Sequence, residues 1–390
     1  MKILLATSYD YPHLGGLSTH MTTLKTGLES RGHTVDTLSF TDVPKWKQYL
    51  IARGPSFILN KISKGAGYHW TLERRQKFLE NMLSQEKYKQ YDIVNAQDVF
   101  ATRASIAAGL PTVTTTHGYL TYEGISRGAV AEGSKHADRL LAVERVGYTA
   151  TRAVITVDTR IKNYVKKETG VEGHMIKNFI DVEAFKPEVE RCEEFRKKYG
   201  FSLDEKIFFV PRRLNHKNGV IYPVLSLPAV LEKHPNARVV FAGTGELMEE
   251  LKSKSAELGI SDHVTLLGAV DHKDMVEYYA MSDIVLVPSV YSAGVEEATS
   301  ISALEAMGSG VPLIACAVGG LKEIVNDGVD GILVPDRNVE AFSEAMVYLL
   351  DNPEKGEQLA ETARQKIVEE YSHFAAAEKY EEIYMKALKN

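Results

Sequence analysis

Cysteine is almost missing from this sequence. Cys192 and Cys316 are the only two in 390 residues, and neither belongs to a CxxC pair or a Cys/His cluster. That excludes a disulfide framework and a structural zinc site, and a reducing cytoplasm is the expected compartment. No run approaches the ~20 apolar residues that cross a bilayer, so no spanning helix is expected. The start, MKILLATSYDYPHLGG, has one lysine, a short apolar run and no small-residue cleavage site, and is expected to be a first β-strand rather than a signal peptide. No GxxxxGK followed by Ser or Thr occurs, which removes a Walker-type phosphate loop. Glycine and proline, at 29 and 13, are too few for a collagen-like or low-complexity chain. What is left, with 44% hydrophobic and 25% charged residues at this length, is a globular protein of two domains.

Positive charge is scarce in one half only. Residues 1–180 hold 24 Lys+Arg against 16 Asp+Glu, a net of +8, whereas residues 181–390 hold 22 against 36, a net of -14. Such a split suggests that the first half meets something anionic: a membrane face, a phosphorylated acceptor or an acidic polymer. Uneven but solvated charge is the alternative. The excess is concentrated in residues 44–80, where Lys45, Lys47, Arg53, Lys61, Lys64, Arg74, Arg75 and Lys77 face only Glu73 and Glu80. Trp46, Tyr49, Leu50, Ile51, Phe57, Ile58, Leu59 and Trp70 are interleaved with them. Nucleic acid is not the expected partner, because the pI is about 6.1 and no recognised binding module is present.

Strand-length apolar runs alternate with helical patterns in both halves, the signature of βαβ units and mostly parallel sheets. The first half predicts strands at 2–7, 34–39, 93–96, 112–116 and 153–157, with helices at 18–31, 72–86 and 134–149. The second predicts strands at 206–210, 238–242, 264–267, 284–287, 313–315 and 331–334. Its helices are expected at 222–234, 246–258, 273–281, 300–308 and 339–352. The domain boundary is expected near IKNFIDVEAFKP, residues 176–187, and residues 371–390 read as a terminal amphipathic helix. The α/β fold class is thus two Rossmann-like, doubly wound domains. Such sheets bind ligands at the carboxyl ends of their strands, so two facing each other would make one cleft, with the chemistry in post-strand loops.

Those loops hold the candidates. Gly15-Gly16-Leu17-Ser18 precedes a helix whose free amides suit an anion or hydroxyl. His117 ends the strand TTTH, where it can donate to sugar hydroxyls or serve as a buried structural histidine. Arg212, Arg213 and Lys217 follow the first strand of the second half and suit a diphosphate, an Arg fork gripping two oxygens beside a compact ammonium. Gly243 and Gly245 either hold a nucleotide or close a strand; Met248, where a third glycine would stand, argues against a nicotinamide fingerprint. Finally, Glu297 and Ala298 lie in the loop before a helix expected to start near Ser300, with Glu305 inside it, and the amides of Thr299, Ser300, Ile301 and Ser302 would point at a phosphate. Glu305 could accept from a ribose diol, and Glu297 could hold a sugar hydroxyl.

Taken together, GGLSTH, THG, the Arg/Lys loop, the E-x7-E element running into LEAMGSGVPLIA, VGGLKEIV and YSHFAAAEKYEEIY resemble a family 4 retaining glycosyltransferase of the GT-B fold, of the bacterial and archaeal group 1 type. The resemblance runs nearly end to end. It implies an acceptor-binding domain over residues 1–178, onto which helix 371–390 packs back, and a nucleotide-sugar domain over residues 179–370. It implies no required metal or other cofactor, and a UDP-sugar donor with a GDP-sugar as the alternative. Gly16 would approach the donor phosphate, His117 the transferred sugar, and Glu297 the anomeric carbon. Arg212 or Arg213, with Lys217, would neutralise the leaving diphosphate, and Glu305 would hold the ribose. The family's E-G-F-G is replaced here by Glu297-Ala298-Thr299-Ser300. The expected function is retaining transfer of a hexose or N-acetylhexosamine to an acceptor hydroxyl in cell-envelope or polysaccharide synthesis. The acceptor is lipid-linked or anionic, with residues 44–80 on an anionic membrane face. A sugar-nucleotide epimerase and a non-catalytic sugar-nucleotide binder are the alternatives.

Overall fold

The computed structural model describes residues 1–13, 16–291 and 299–389. The chain divides into two compact units, Met1–Asn178 with His373–Asn390, and Phe179–Ser372.

In the first unit, strands β1 (Lys2–Ala6), β2 (Thr34–Leu38), β3 (Ile93–Ala96), β4 (Thr112–Thr116), β5 (Val154–Thr156) and β6 (His174–Met175) form one parallel sheet in the order β2-β1-β3-β4-β5-β6. KILLA and IVNA are near-continuous apolar runs without polar alternation, the pattern of strands covered on both faces. β4, TVTTT, is fully buried although four of its five residues carry hydroxyls. β-branching suits the strand, and each hydroxyl finds a partner: Thr112 on the Leu110 carbonyl, Thr114 with Thr102, Thr115 on Asn95, Thr116 with Tyr148. The sixth strand, two exposed residues, carries no hydrophobic pattern and is absent from the sequence expectation.

The second unit repeats the plan with β7 (Lys206–Val210), β8 (Ala237–Phe241), β9 (Val264–Leu266), β10 (Ile284–Val287), β11 (Leu313–Cys316) and β12 (Ile332–Val334), parallel and ordered β12-β11-β10-β7-β8-β9. In each sheet the chain moves outward from its first strand and then returns to build the other side. The strand order therefore reverses between β1 and β3 and between β7 and β10, and a crevice opens there beyond the strand ends.

Two helical features distinguish the first unit. The C-terminal helix, His373–Lys389, packs on the Gly16–Ser30 helix. The approach is so close that a Cβ on Gly27 would lie 2.4 Å from the His373 carbonyl oxygen. The basic stretch folds as a short Lys45–Lys47 turn, a wide turn over Gln48–Arg53, and the helices Gly54–Ile62 and Ala66–Leu83. The last of these begins six residues earlier than expected. Gly65, at φ 94°, turns the chain, and a Cβ on Gly67 would come within 1.9 Å of the Ser56 carbonyl oxygen, so glycine alone lets the two helices meet. Trp46, Tyr49, Leu50, Phe57, Ile58 and Ile62 are all exposed on this segment. No helix among the described residues is long and apolar enough to cross a membrane.

Gly27→Val should force the C-terminal helix off its seat and destabilise the first unit by about 1–3 kcal/mol, the usual cost of overpacking, read as a lowered midpoint in urea unfolding. An unchanged midpoint would contradict this close packing.

Candidate active site

In the first unit the loops after β1, β3 and β4 meet at the switch point, fixed by two acidic side chains. Asp98 caps the Val99–Ala107 helix, accepting from the amides of Phe100 at 3.0 Å and Ala101 at 2.9 Å. Its other oxygen accepts from Thr7 Oγ1 at 2.9 Å and the Ser8 amide at 2.7 Å, which locks the β1 loop to the β3 loop. Glu144, wholly buried on the Lys135–Ala150 helix, accepts from the amides of Leu120 and Thr121, from Thr121 Oγ1 at 2.6 Å and from Tyr164 OH at 2.9 Å. Burial pushes its carboxyl pKa up while those donors pull it down. It thereby holds the chain that follows His117.

These loops enclose a cavity of about 460 Å³, lined among others by Tyr68, Gln97, Asp98, His117, Glu123 and Arg127. His117 Nε2 lies 2.9 Å from Gln97 Oε1, and its ring meets the edge of His20 at 4.5 Å between centroids. Burial holds the His117 pKa down at about 4, so the ring is neutral at physiological pH and acts through hydrogen bonds rather than as a cation. His20, also kept neutral by burial and then by His117, lies 3.2 Å from Tyr380 OH on the C-terminal helix. Gly16 is the exposed first residue of its helix, with no atom within 4 Å of a built Cβ; Gly15 lies outside the described residues. A close approach at Gly16 is therefore not made by the protein itself.

In the second unit the loops after β7, β8 and β10 converge. Arg212 is only 9% exposed, and its guanidinium donates to Asn218 Oδ1 and Ser289 Oγ, both at 2.8 Å, and to Ser300 Oγ at 3.0 Å. Arg213, by contrast, points outward and is exposed. Lys217 is half-buried on the His216–Asn218 turn, and its carbonyl accepts from the Val290 amide at 2.9 Å. Gly219 closes that turn at φ 62°, where a Cβ would lie 1.9 Å from the Pro288 carbonyl oxygen. A smaller cavity of about 180 Å³ beside the turn is lined by His216, Tyr222 and Arg337 among others.

Gly243 and Gly245 take a structural role. A Cβ on either would come within 2.1 Å of the carbonyl oxygen of Arg212 or Leu214, so both glycines seat the β8 loop against the arginine loop. Thr299 and Ser300 are buried and lead into the Ile301–Gly308 helix, with Ile301 partly exposed. Glu297 and Ala298 fall outside the described residues. Glu305 departs from the expectation that its oxygens await a ribose. It is 3% exposed, with Oε1 2.7 Å from His272 Nε2 and Oε2 accepting from Tyr279 OH at 2.9 Å. The Glu305 hydrogen bond raises the His272 pKa. A diol reaching Glu305 must displace the half-exposed His272 ring or share the oxygen with it. No cluster of His, Cys, Asp or Glu that could hold a metal ion occurs among the described residues.

Sequence reasoning missed Asp98, Glu144, His20, Gln97 and His272. Asp98 was readable as a helix cap one residue ahead of VFATRA. Glu144 and His272 give no such signal, since their partners lie 20–24 and 33 positions away.

A family model described as "Glycosyltransferase Family 4" matches residues 14–184, and one described as "Glycosyl transferases group 1" matches residues 192–366. An uncharacterized glycosyltransferase of Methanocaldococcus jannaschii is 29% identical over 100% of this chain and 99% of its own length. The alpha-monoglucosyldiacylglycerol synthase of Streptococcus pneumoniae is 27% identical over 85% of this chain and 75% of its own. Among solved structures, sucrose-phosphate synthase from Thermosynechococcus elongatus superposes with a TM-score of 0.73 at 18% identity, covering 100% of both chains, a likeness of fold.

The neutral His117 has a consequence for acid stability. Between its folded pKa of about 4 and the ordinary value near 6.5, the unfolded chain binds a proton that the folded chain does not, so stability falls as pH drops through that window. Thermal unfolding is expected at lower temperature at pH 5 than at pH 7, with the difference reduced in His117→Asn. An imidazole titration by NMR placing His117 above pH 6 would refute the assignment.

Proposed function

We propose, for a chain that belongs to the glycosyltransferases of group 1 and family 4 and has their GT-B fold, the transfer of a hexose or N-acetylhexosamine from a nucleoside-diphosphate sugar to an acceptor hydroxyl with retention. The observation that carries this reading is the Arg212 guanidinium. It joins Asn218 of the Lys217 turn to Ser300 at the start of the Ile301–Gly308 helix, so cations and a helix amide end share one switch point. Breaking the bond from the anomeric carbon to the diphosphate leaves positive charge on the sugar and negative charge on the departing group. Lys217 and the exposed Arg213 supply cations to that group, and Arg212, held by its hydrogen bonds, keeps the helix amides aimed at it. The chain's own groups perform this without a metal.

The donor is a UDP-sugar in this reading, with a GDP-sugar as the alternative. Glu297 orients the sugar, and His117, whose neutral ring gives its one N–H from Nε2 to Gln97 Oε1, accepts a hydrogen bond from a sugar hydroxyl at Nδ1. Same-face attack lets the leaving phosphate oxygen take the acceptor's proton, so no carboxylate base is needed. The acceptor hydroxyl belongs in the cavity at His117. The acceptor is lipid-linked or anionic, and residues 44–80 rest on an anionic membrane face: apolar and aromatic side chains stand out from the protein among lysines.

Lys217→Ala should lower kcat by about 10²–10³, the usual cost of losing one charge-stabilising group, with little change in thermal stability. Purified protein offered UDP- and GDP-sugars with a membrane-lipid extract should release the nucleoside diphosphate and glycosylate the extract. Isomerised donor without transfer would establish an epimerase instead, and donor-dependent stabilisation without turnover a binder. For the membrane contact, changing Lys45, Lys47, Lys61 and Lys64 to Ser should weaken flotation on vesicles with 30 mol% anionic lipid by about 1,000-fold, at roughly 1 kcal/mol per lysine. Equal flotation would end that part of the reading.

A further inference from the structure

Beside the His117 cavity lies a second, of about 510 Å³, lined by Asp10, Ser56, Asn60, Thr71 and Arg75 among others. The two cavities share Tyr9, His13 and Tyr68 as walls, so they form one trough with the histidine at one end. The far end is bounded by the Gly54–Ile62 helix, which has two different faces. Ser56 and Asn60, four residues apart and on one side, line the cavity. Phe57, Ile58 and Ile62 project on the other side at 67%, 63% and 78% exposure. Lys61 Nζ lies 4.6 Å from the Phe57 ring centroid, and Lys47 Nζ 5.4 Å from that of Trp46, so cations and aromatic rings alternate on this outward surface. Such a mixture suits the interface of an anionic bilayer, where rings sit at head-group depth and ammonium groups meet phosphates.

The lining of the second cavity has a different chemistry. A carboxylate, an amide, an imidazole and the hydroxyls of Ser56, Thr71, Tyr9 and Tyr68 line it with a single guanidinium, that of Arg75. That guanidinium donates to the Ser8 carbonyl at 3.1 Å, lies 3.9 Å from Asp10 and stacks on Phe40. Thr71 Oγ1 donates to the Gly67 carbonyl and Asn60 Oδ1 accepts from the Gly67 amide, both at 2.9 Å, so toward a ligand Thr71 accepts and the Asn60 NH2 donates. Carboxylate, amide and hydroxyl groups recognise hydroxyls, as both donors and acceptors. A soluble sugar acceptor would use the first cavity and leave this one, and the apolar face beyond it, without purpose. An amphiphile uses all three.

We propose that the second cavity is a subsite for the hydroxyl-bearing head group of an anionic phospholipid, whose phosphate meets the lysines of the outward face and whose acyl chains lie along Phe57, Ile58 and Ile62. This rests on the transferase reading, in which the first cavity takes the acceptor, and it narrows the acceptor to a membrane lipid bearing a polyol. Asp10, Asn60 and Thr71 orient the polyol so that one hydroxyl reaches the His117 end of the trough.

The test uses the full chain and vesicles of equal charge, containing 30 mol% phosphatidylglycerol, phosphatidylinositol or phosphatidylserine in phosphatidylcholine. The first two lipids offer free hydroxyls and the third does not. Flotation should be about 5-fold tighter on each polyol lipid than on phosphatidylserine, the worth of one or two hydrogen bonds. Ser56→Phe, which fills the cavity, should bring that ratio to one, and so should the milder Thr71→Val. Lys47→Ser with Lys61→Ser should weaken all three alike and keep the ratio. A ratio of one in the unaltered chain, a ratio that survives both cavity variants, or no binding to any vesicle each overturns the subsite. No sugar is transferred in this assay, so its failure leaves the transferase reading intact. Absence of turnover with every donor removes the transferase reading and leaves the measured ratio standing.

Discussion

A guanidinium taken out of water has five donors to satisfy and no way to shed its charge, and the second unit is arranged around that demand at Arg212. Asn218 answers it from six residues along the same loop, and Ser289 and Ser300 from the stretch after β10, 77 and 88 positions away. Because Asn218 belongs to the arginine's own loop and Ser289 and Ser300 to the stretch between β10 and the Ile301–Gly308 helix, holding the arginine also fixes those two stretches to one another. The glycines complete the arrangement. Gly219, Gly243 and Gly245 occupy positions where any Cβ would strike a carbonyl oxygen, and each removes the obstacle to one loop lying on the next. Arg212, one of the two arginines between which the resemblance leaves the diphosphate contact open, is thus the one that holds these loops together, while Arg213 is exposed and Lys217 half-buried.

The first unit solves the same problem with the opposite charge. Asp98 gathers amide and hydroxyl donors from the chain after β1 and after β3, and Glu144 gathers them from Leu120 and Thr121 after β4 and from Tyr164 on the Thr159–Thr169 helix. A carboxylate in a low-dielectric setting is costly unless several donors converge on it, so the loops bearing those donors have one arrangement that is cheap and many that are not. His117 benefits without taking part. Its neighbours are held, its ring stays neutral, and the cavity in front of it keeps its shape.

Much of this was legible from residue order. The parallel sheets follow from apolar runs alternating with helical periods, and TTTH, PRRLNHKNG and the acidic pair announce loops at strand ends. What was not legible has a common physical cause: it depends on which distant residues meet. Nothing in DHKDM says that His272 will reach Glu305, and nothing in LAVERVG says that Glu144 will cap the turn after His117. β6 escaped because an exposed edge of two residues has no side to bury. The roles of Gly243 and Gly245 were left open between ligand and packing because a glycine's purpose lies in what approaches it.

The C-terminal helix brings Tyr380 and Tyr384 into the interior of the first unit, where Tyr384 OH accepts from Asn95 Nδ2 at 2.7 Å and Tyr380 reaches His20. During translation the residues that begin that unit emerge from the ribosome long before the ones that finish it. The unit made first is thus completed last, and a nascent chain must hold an open hydrophobic seam through the synthesis of nearly two hundred intervening residues.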